Sequence, residues 1–172
     1  MSLCFHSWFT GLLDGEGYFQ IARIKSKHRP GEFIYIPMAG IGMRKDDTPI
    51  LRMVKNKLGI GGICFAKRTQ SEKHMPKCVW QVSGTKQCRR LVEILDPYPL
   101  QSKKSRDYIV WRSYVVQKSE LGYKMPVSLS EYYYYRIKEA RQYNPIVVSI
   151  YEKDPGLNLP KKGVNSCNIT MT

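Results

Sequence analysis

The sequence predicts an α+β fold built on an antiparallel sheet. Three observations predict it: apolar residues recur at helical spacing near the start, the pattern switches to alternation after Gly17, and helical and alternating segments then take turns. The predicted order is helix, hairpin, helix, hairpin, helix, helix, with links short enough for antiparallel neighbours.

In residues 3–15, Phe5, Trp8, Phe9 and Leu12 fall at i, i+3, i+4 and i+7 as one bulky apolar stripe. Ser7, Gly11 and Gly15 fall at i, i+4 and i+8 as a second stripe of small side chains. Such a helix buries its bulky face in its own core and lets another backbone approach closely along the small one, as small-residue stripes do between membrane helices. After Gly17, Phe19 and Ile21 alternate with Tyr18, Gln20 and Ala22, the pattern of a strand with one buried face. Alternation slips at Arg23-Ile24, which suggests a bulge. The turn signal His28-Arg29-Pro30-Gly31 leads into a second strand, Phe33 to Lys45, which Pro37, Gly40 and Gly42 make irregular or partly an edge.

Asp46, Asp47 or Thr48 caps the next helix, with Pro49 in its first turn, Leu51, Val54 and Leu58 on its buried face, and Gly59 as its stop. Ile63 to Thr69 and Cys78 to Ser83 read as the second hairpin, with Cys78, Trp80 and Val82 on one face. A helix near Lys86 to Leu95 ends at Asp96-Pro97-Tyr98-Pro99, and Ser105 to Lys118 is helical by Tyr108, Ile109, Trp111, Arg112 and Val115. After a connector at 120–126, Ser128-Leu-Ser-Glu131 has capping-box spacing and opens a last helix through Arg141. Its run Tyr132 to Tyr135 covers all sides, which rests it on the domain. From Asn144 onward Pro, Gly, Asn and Lys accumulate, and little regular structure is expected. The expected division is a core domain at residues 1–120 and a C-terminal helix with an irregular tail at 121–172.

Lys and Arg number 28 against 14 Asp and Glu, a formal net charge of +14. The expected partner is a polyanion, nucleic acid first and an anionic membrane surface second. No apolar run approaches the roughly 20 residues of a membrane span, and no charged-then-apolar leader is visible. A soluble, intracellular protein with no membrane partner is the expectation. The five cysteines, Cys4, Cys64, Cys78, Cys88 and Cys167, form no C-x-x-C pair and suggest reduced core thiols, not a zinc ribbon or disulfide framework. The charge is uneven: residues 1–16 hold two acids and no Lys or Arg, whereas 17–83 hold 13 basic residues to 4 acidic.

Those two acids, Asp14 and Glu16, each precede a glycine, and four readings compete. The plainest is a helix C-terminus with Gly15 or Gly17 as its left-handed cap and two solvated carboxylates. Acids are disfavoured at that negative end of the helix dipole unless a cation is near. An EF-hand loop needs an oxygen ligand where Leu12 stands and a bidentate Glu where Arg23 stands, so it fails. A glycosidase pair fails because carboxyls on adjacent turns of one segment do not flank a sugar ring. The fourth is a hard-cation site for phosphodiester chemistry, in which one carboxylate beside a glycine carbonyl is half of a Mg²⁺ site. If the small-faced helix pairs with a copy of itself, two Glu16 carboxylates converge and DNA phosphates complete the coordination.

The segment Phe9-Thr10-Gly11-Leu12-Leu13-Asp14-Gly15-Glu16-Gly17 resembles the LAGLIDADG motif of homing endonucleases, in its variant ending D-G-E-G. The aromatic-led strand after it, Leu-Gly-Ile-Gly-Gly at 58–62, and Pro99-Leu-Gln-Ser-Lys-Lys104 entering a helix resemble the same family, over roughly residues 5–118. The resemblance implies an αββαββα core whose saddle-shaped antiparallel sheet lies along the DNA major groove, with helices on one face and the C-terminal helix as an extension. One motif implies a homodimer, a near-palindromic double-stranded target, and Ser7, Gly11, Asp14 and Gly15 at the dimer axis. By position Glu16 matches the metal-binding catalytic acid, the Gly15 carbonyl adds a ligand, and Asp14 matches an acid of more structural role. Lys103 or Lys104 meets the family's basic residue at the start of the last core helix. The implied cofactor is Mg²⁺, with Ca²⁺ or Mn²⁺ as substitutes in binding. Thr10 stands where Ala is usual, small enough for a helix seam. The strand-two position near the active site falls close to Met43 or Arg44, and a methionine there leaves the water-organising network thinner.

For binding, phosphate contacts give affinity while side chains on the sheet read base edges. The candidates are Tyr18 and Gln20, then Arg23 or Lys25 past the slip, Lys27, His28 and Arg29 at the hairpin tip, Arg44, and Arg68, Gln70, Lys73, Lys77 and Gln81 in the second hairpin. The expected function is site-specific double-strand DNA cleavage by an intron-encoded protein, organellar or bacterial. The second reading is a non-cleaving maturase acting on its own intron RNA, or a DNA-binding regulator; the third is a basic module of another kind. Glu16 with the Lys103-Lys104 pair favours cleavage, because a pure binder needs neither.

Overall fold

The computed structural model describes residues 4–65 and 76–142. The elements follow the predicted order: α1 (Phe5–Glu16), β1 (Gly17–Lys25), β2 (Phe33–Arg44), α2 (Thr48–Leu58), β3 (Gly62–Phe65), β4 (Lys77–Ser83), α3 (Thr85–Leu95), α4 (Lys104–Leu121) and α5 (Val127–Arg141). The strands form one antiparallel sheet in the order β1-β2-β4-β3, which sets the two hairpins side by side with β2 and β4 in the middle.

One face of that sheet makes the core. Phe19 and Ile21 of β1, Tyr35, Ala39 and Ile41 of β2, and Cys78, Trp80 and Val82 of β4 are buried there with residues of all five helices. Phe19 packs on Tyr108 and Trp111 of α4, and Phe9 of α1 meets Trp80 edge-on. The other face carries Tyr18, Gln20, Ala22 and Ile24 of β1 and is left without a helix among the described residues. Pro37 is tolerated in a central strand because β4 pairs with β2 only from Met38 onward, so its missing N–H falls where β2 is locally an edge.

The C-terminal helix belongs to this core. Tyr133, Ile137 and Ala140 of α5 are buried, Arg141 donates to the Phe19 carbonyl of β1, and its Nε lies 3.3 Å from Asp107 of α4. Thus α5 lies along the outer edge of β1, which pairs with no further strand among the described residues.

Several local expectations are corrected. The β1–β2 register runs without interruption from Gly17 opposite Ile41 to Lys25 opposite Phe33, so there is no bulge at Arg23-Ile24. The deepest residues of α1 are Phe9, Thr10 and Leu13, with Phe5, Trp8 and Leu12 only half-buried; the buried stripe is rotated from the predicted one, and Thr10 faces the core and not a seam. Helix α5 begins after Pro126 with no side-chain cap, so the capping box at Ser128 is not formed. The α2 start likewise lacks a side-chain cap from Asp47, whereas Gly59 is left-handed as expected, at φ 64°. Only Cys78 and Cys88 are buried thiols; Cys4 and Cys64 are exposed, and Cys167 lies outside the described residues.

Candidate active site and nucleic-acid interface

The motif ends by passing from helix to strand with no intervening loop. Gly17 is extended, not left-handed, and a Cβ there would lie 2.4 Å from the Leu13 carbonyl oxygen and 2.5 Å from its Cδ1. Glycine therefore permits the direct exit from α1 into β1, and no left-handed glycine cap exists at Gly15 either. The exit leaves Glu16 exposed at the C-terminal tip of α1, beside the start of the uncovered sheet face, with no hydrogen bond or ion pair to the described residues.

Asp14 is engaged with its own chain. Its carboxylate accepts from the Gln101 amide at 2.9 Å, the Ser102 amide at 2.9 Å and the Ser102 hydroxyl at 2.5 Å, which fastens the loop before α4 to the end of α1. Burial alone would raise the Asp14 pKa, but the Ser102 hydroxyl, the two amides and the nearby Lys104 charge outweigh it and hold the carboxyl below its usual range. The far side of the loop is pinned as well. Asp96 takes a two-pronged contact from Arg112 at 2.6 and 2.7 Å and a Tyr108 hydroxyl at 2.7 Å.

Ser102 accepts the Lys104 amide at 3.1 Å, and the Lys104 ammonium donates to the Gly15 carbonyl oxygen. This distinguishes the two lysines: Lys104 enters the site, whereas Lys103 is exposed. Lys104 also meets the electrostatic need read from the sequence, a cation at the negative end of α1. Burial is the main cause that lowers its pKa below the ordinary lysine value, with the Lys103 charge adding to it and Glu16 and Asp14 opposing.

Among the described residues no three His, Cys, Asp or Glu cluster as a metal cage. One carboxylate and one carbonyl fit a magnesium-type ion, which takes few protein oxygens and leaves the remaining positions to phosphate and water. The Gly15 carbonyl accepts the Lys104 ammonium in this arrangement.

The uncovered sheet face places the other candidates. Tyr18 donates to Gln81 Oε1 at 2.9 Å across β2, and Gln20 lies 3.6 Å from the Met38 sulfur. Arg44 and Lys77 are paired at one end of this face, with Arg44 held by Asp46 at 2.7 Å. Met43 points to the core side, and by register Gly40 and Gly42 are the open-face residues of β2 nearest Glu16. Without the expected bulge, Arg23 and Lys25 share the helix side with Phe19 and Ile21. Arg23 stacks 3.7 Å from the Phe33 ring centroid and pairs with Glu131 at 3.6 Å, so it supports α5 instead of the reading face. Lys27 and Arg29 are exposed in the β1–β2 turn; Arg68, Gln70 and Lys73 lie outside the described residues. The sequence reading missed Gln101 and Ser102; a serine two residues before the N-terminus of a helix was the available signal.

Compared with known proteins, residues 9–115 match the model of a family described as LAGLIDADG endonuclease. A probable intron-encoded endonuclease, Cox1-I1b of Schizosaccharomyces pombe, is 24% identical over 149 residues, covering 86% of this chain. The chain spans only 37% of that relative's length. Among solved structures, an archaeal intron-encoded homing endonuclease complexed with DNA has a TM-score of 0.64 at 18% identity, covering 86% of this chain and 94% of that one. The homing endonuclease I-TnaI has a TM-score of 0.58 at 19% identity, covering 82% of this chain and 100% of the other. These distant structures share the fold, and the family match spans more than half of the sequence including the motif. The chain belongs to the LAGLIDADG endonuclease family.

Proposed function

We propose that the chain is a site-specific DNA endonuclease that works as a homodimer, each protomer giving half of a divalent-metal site. The carrying observation is what the protomer does not require. A Cβ added at Gly11 or Gly15 would meet nothing within 4 Å, and neither glycine has a positive φ. Glycine inside a helix costs about 1 kcal/mol relative to alanine. Two such residues at i and i+4, facing outward beside an unpartnered Glu16, are accounted for by a second backbone along that stripe. A symmetric copy brings the two Glu16 carboxylates together.

In this reading each residue has a definite task. Glu16 and the Gly15 carbonyl would hold a Mg²⁺ ion, with the Lys104 ammonium turned from that carbonyl toward the phosphate, and the ion would supply Lewis-acid polarisation of the scissile phosphate. Lys104 places a positive charge where negative charge develops on the phosphate. Asp14 positions Lys104 through Ser102 and touches no substrate. The open sheet face and the exposed Lys and Arg of the β1–β2 turn hold the duplex. A maturase or DNA-binding regulator on the same fold has no use for the Glu16 and Lys104 arrangement, which favours cleavage. Glu16→Gln is expected to abolish Mg²⁺-dependent cutting of a plasmid library while duplex binding persists. Cutting at the parent rate by this variant would remove Glu16 from the mechanism.

A further inference from the structure

The outer half of the open sheet face is apolar, although the chain is strongly basic. By register Ala22 lies opposite Ile36 and Ile24 opposite Ile34, with Met38 next along β2 opposite Gln20. Ile24 and Ile34 remain 48% and 46% exposed. Nothing among the described residues covers them, and the core is made by the opposite side of the same strands. The patch ends at a basic turn, where Lys27, His28 and Arg29 are exposed and the acid Glu32 pairs with Arg29 at 3.4 Å. Toward α1 the same face becomes polar, with Tyr18, Gln20 and Gln81.

We infer that this patch reads thymine C5-methyl groups in the DNA major groove, so that the outer part of each half-site is rich in T·A pairs. The inference rests on the proposed endonuclease function and adds its sequence preference. Of the groups displayed in the major groove, the thymine methyl is the apolar one; the others are donors and acceptors. Isoleucine against a G·C edge would strip water from polar groups and return no hydrogen bond, which disfavours that pair. Basic side chains at the turn match the phosphates on either side of such a contact, and the patch continues the proposed binding face. A strand rising about 3.3 Å per residue carries Ile24 about 23 Å beyond Gly17. At about 3.4 Å per base pair that is about seven pairs outward from the start of β1. RNA fits less well, because uracil lacks the methyl and the A-form major groove is too deep and narrow for side chains.

The test uses the full chain and a pool of randomised DNA duplexes. Selection is expected to enrich thymine in the outer part of each half-site. The selected duplex is then remade with deoxyuridine at those thymines, and binding is expected to weaken about fourfold per methyl removed. The double variant Ile24→Ser/Ile34→Ser should bind both duplexes equally while circular dichroism shows the fold of the parent. Equal binding of the two duplexes by the parent would overturn the inference while leaving the endonuclease proposal standing. Failure to retain any duplex would sink both. Binding to phosphatidylserine vesicles that the double variant loses, or a change in its oligomeric state, would assign the patch to lipid or to a second copy and overturn the inference.

Discussion

Lys104 and Asp14 make separable contacts at the candidate site. Lys104, and not Lys103, reaches the Gly15 carbonyl, so Lys104→Met is expected to lower the cleavage rate by about 100-fold. Lys103→Met should mainly weaken binding; equal rate losses in single-turnover cleavage would contradict the distinction. Because the Lys104 pKa is depressed, cleavage that depends on its charge should fall with rising pH before the ordinary lysine value of 10.5 is reached. Asp14 fastens the loop before α4 through hydrogen bonds. Losing an ionised acceptor of three donors should make Asp14→Ala less stable by about 2 kcal/mol in urea melts at neutral pH. The sign with pH follows from its depressed pKa: the contribution is present above the unfolded value and is lost as pH falls through the folded one. The gap between Asp14→Asn and the parent should therefore close below the ordinary value of 3.8. Thr10 has a buried hydroxyl with no partner, so Thr10→Val should raise stability by about 1 kcal/mol by the same melts.

At the scale of elements, α1 has a buried face and an open side at Gly11 and Gly15, and the open side is testable without disturbing the buried one. Gly11→Leu places its side chain in open space in the protomer but in the seam of a dimer. Analytical ultracentrifugation should show a folded monomer where the parent is a dimer, and an unchanged dimer would place the interface elsewhere. How much of each element the sequence displayed depended on how local its cause was. The alternation of Phe19 and Ile21 with Tyr18 and Gln20, the Gly59 stop and the motif with Glu16 are short-range patterns, and all were legible. Arg23 was misread because a charge at an inward position looks like a slip in alternation. Its partner Glu131 lies on α5, and the stacking ring of Phe33 stands on the neighbouring strand. The Asp14 partners were hidden for the same reason, with Gln101 and Ser102 separated from it by 87 and 88 residues. Thr10 turned inward because the packing of α1 on Trp80 set the helix rotation, which spacing alone leaves open by about one residue.

At the scale of the molecule, the helices build one core on one side of the sheet and, among the described residues, leave the other side open beside the tip of α1. With a net charge of +14, duplex binding should weaken steeply with salt, by a slope of about −0.9 per phosphate neutralised. Two copies of Glu16, one from each chain, are proposed to make a single cleavage centre. Parent and Glu16→Gln protein mixed before refolding separate the two cases, with scission of one end-labelled strand of the selected duplex, nicked or fully cut, as the readout. A shared centre makes cutting fall as the square of the parent fraction, to about one quarter at equal mixing. A linear fall, to about one half, would mean that each chain cuts alone and would contradict it.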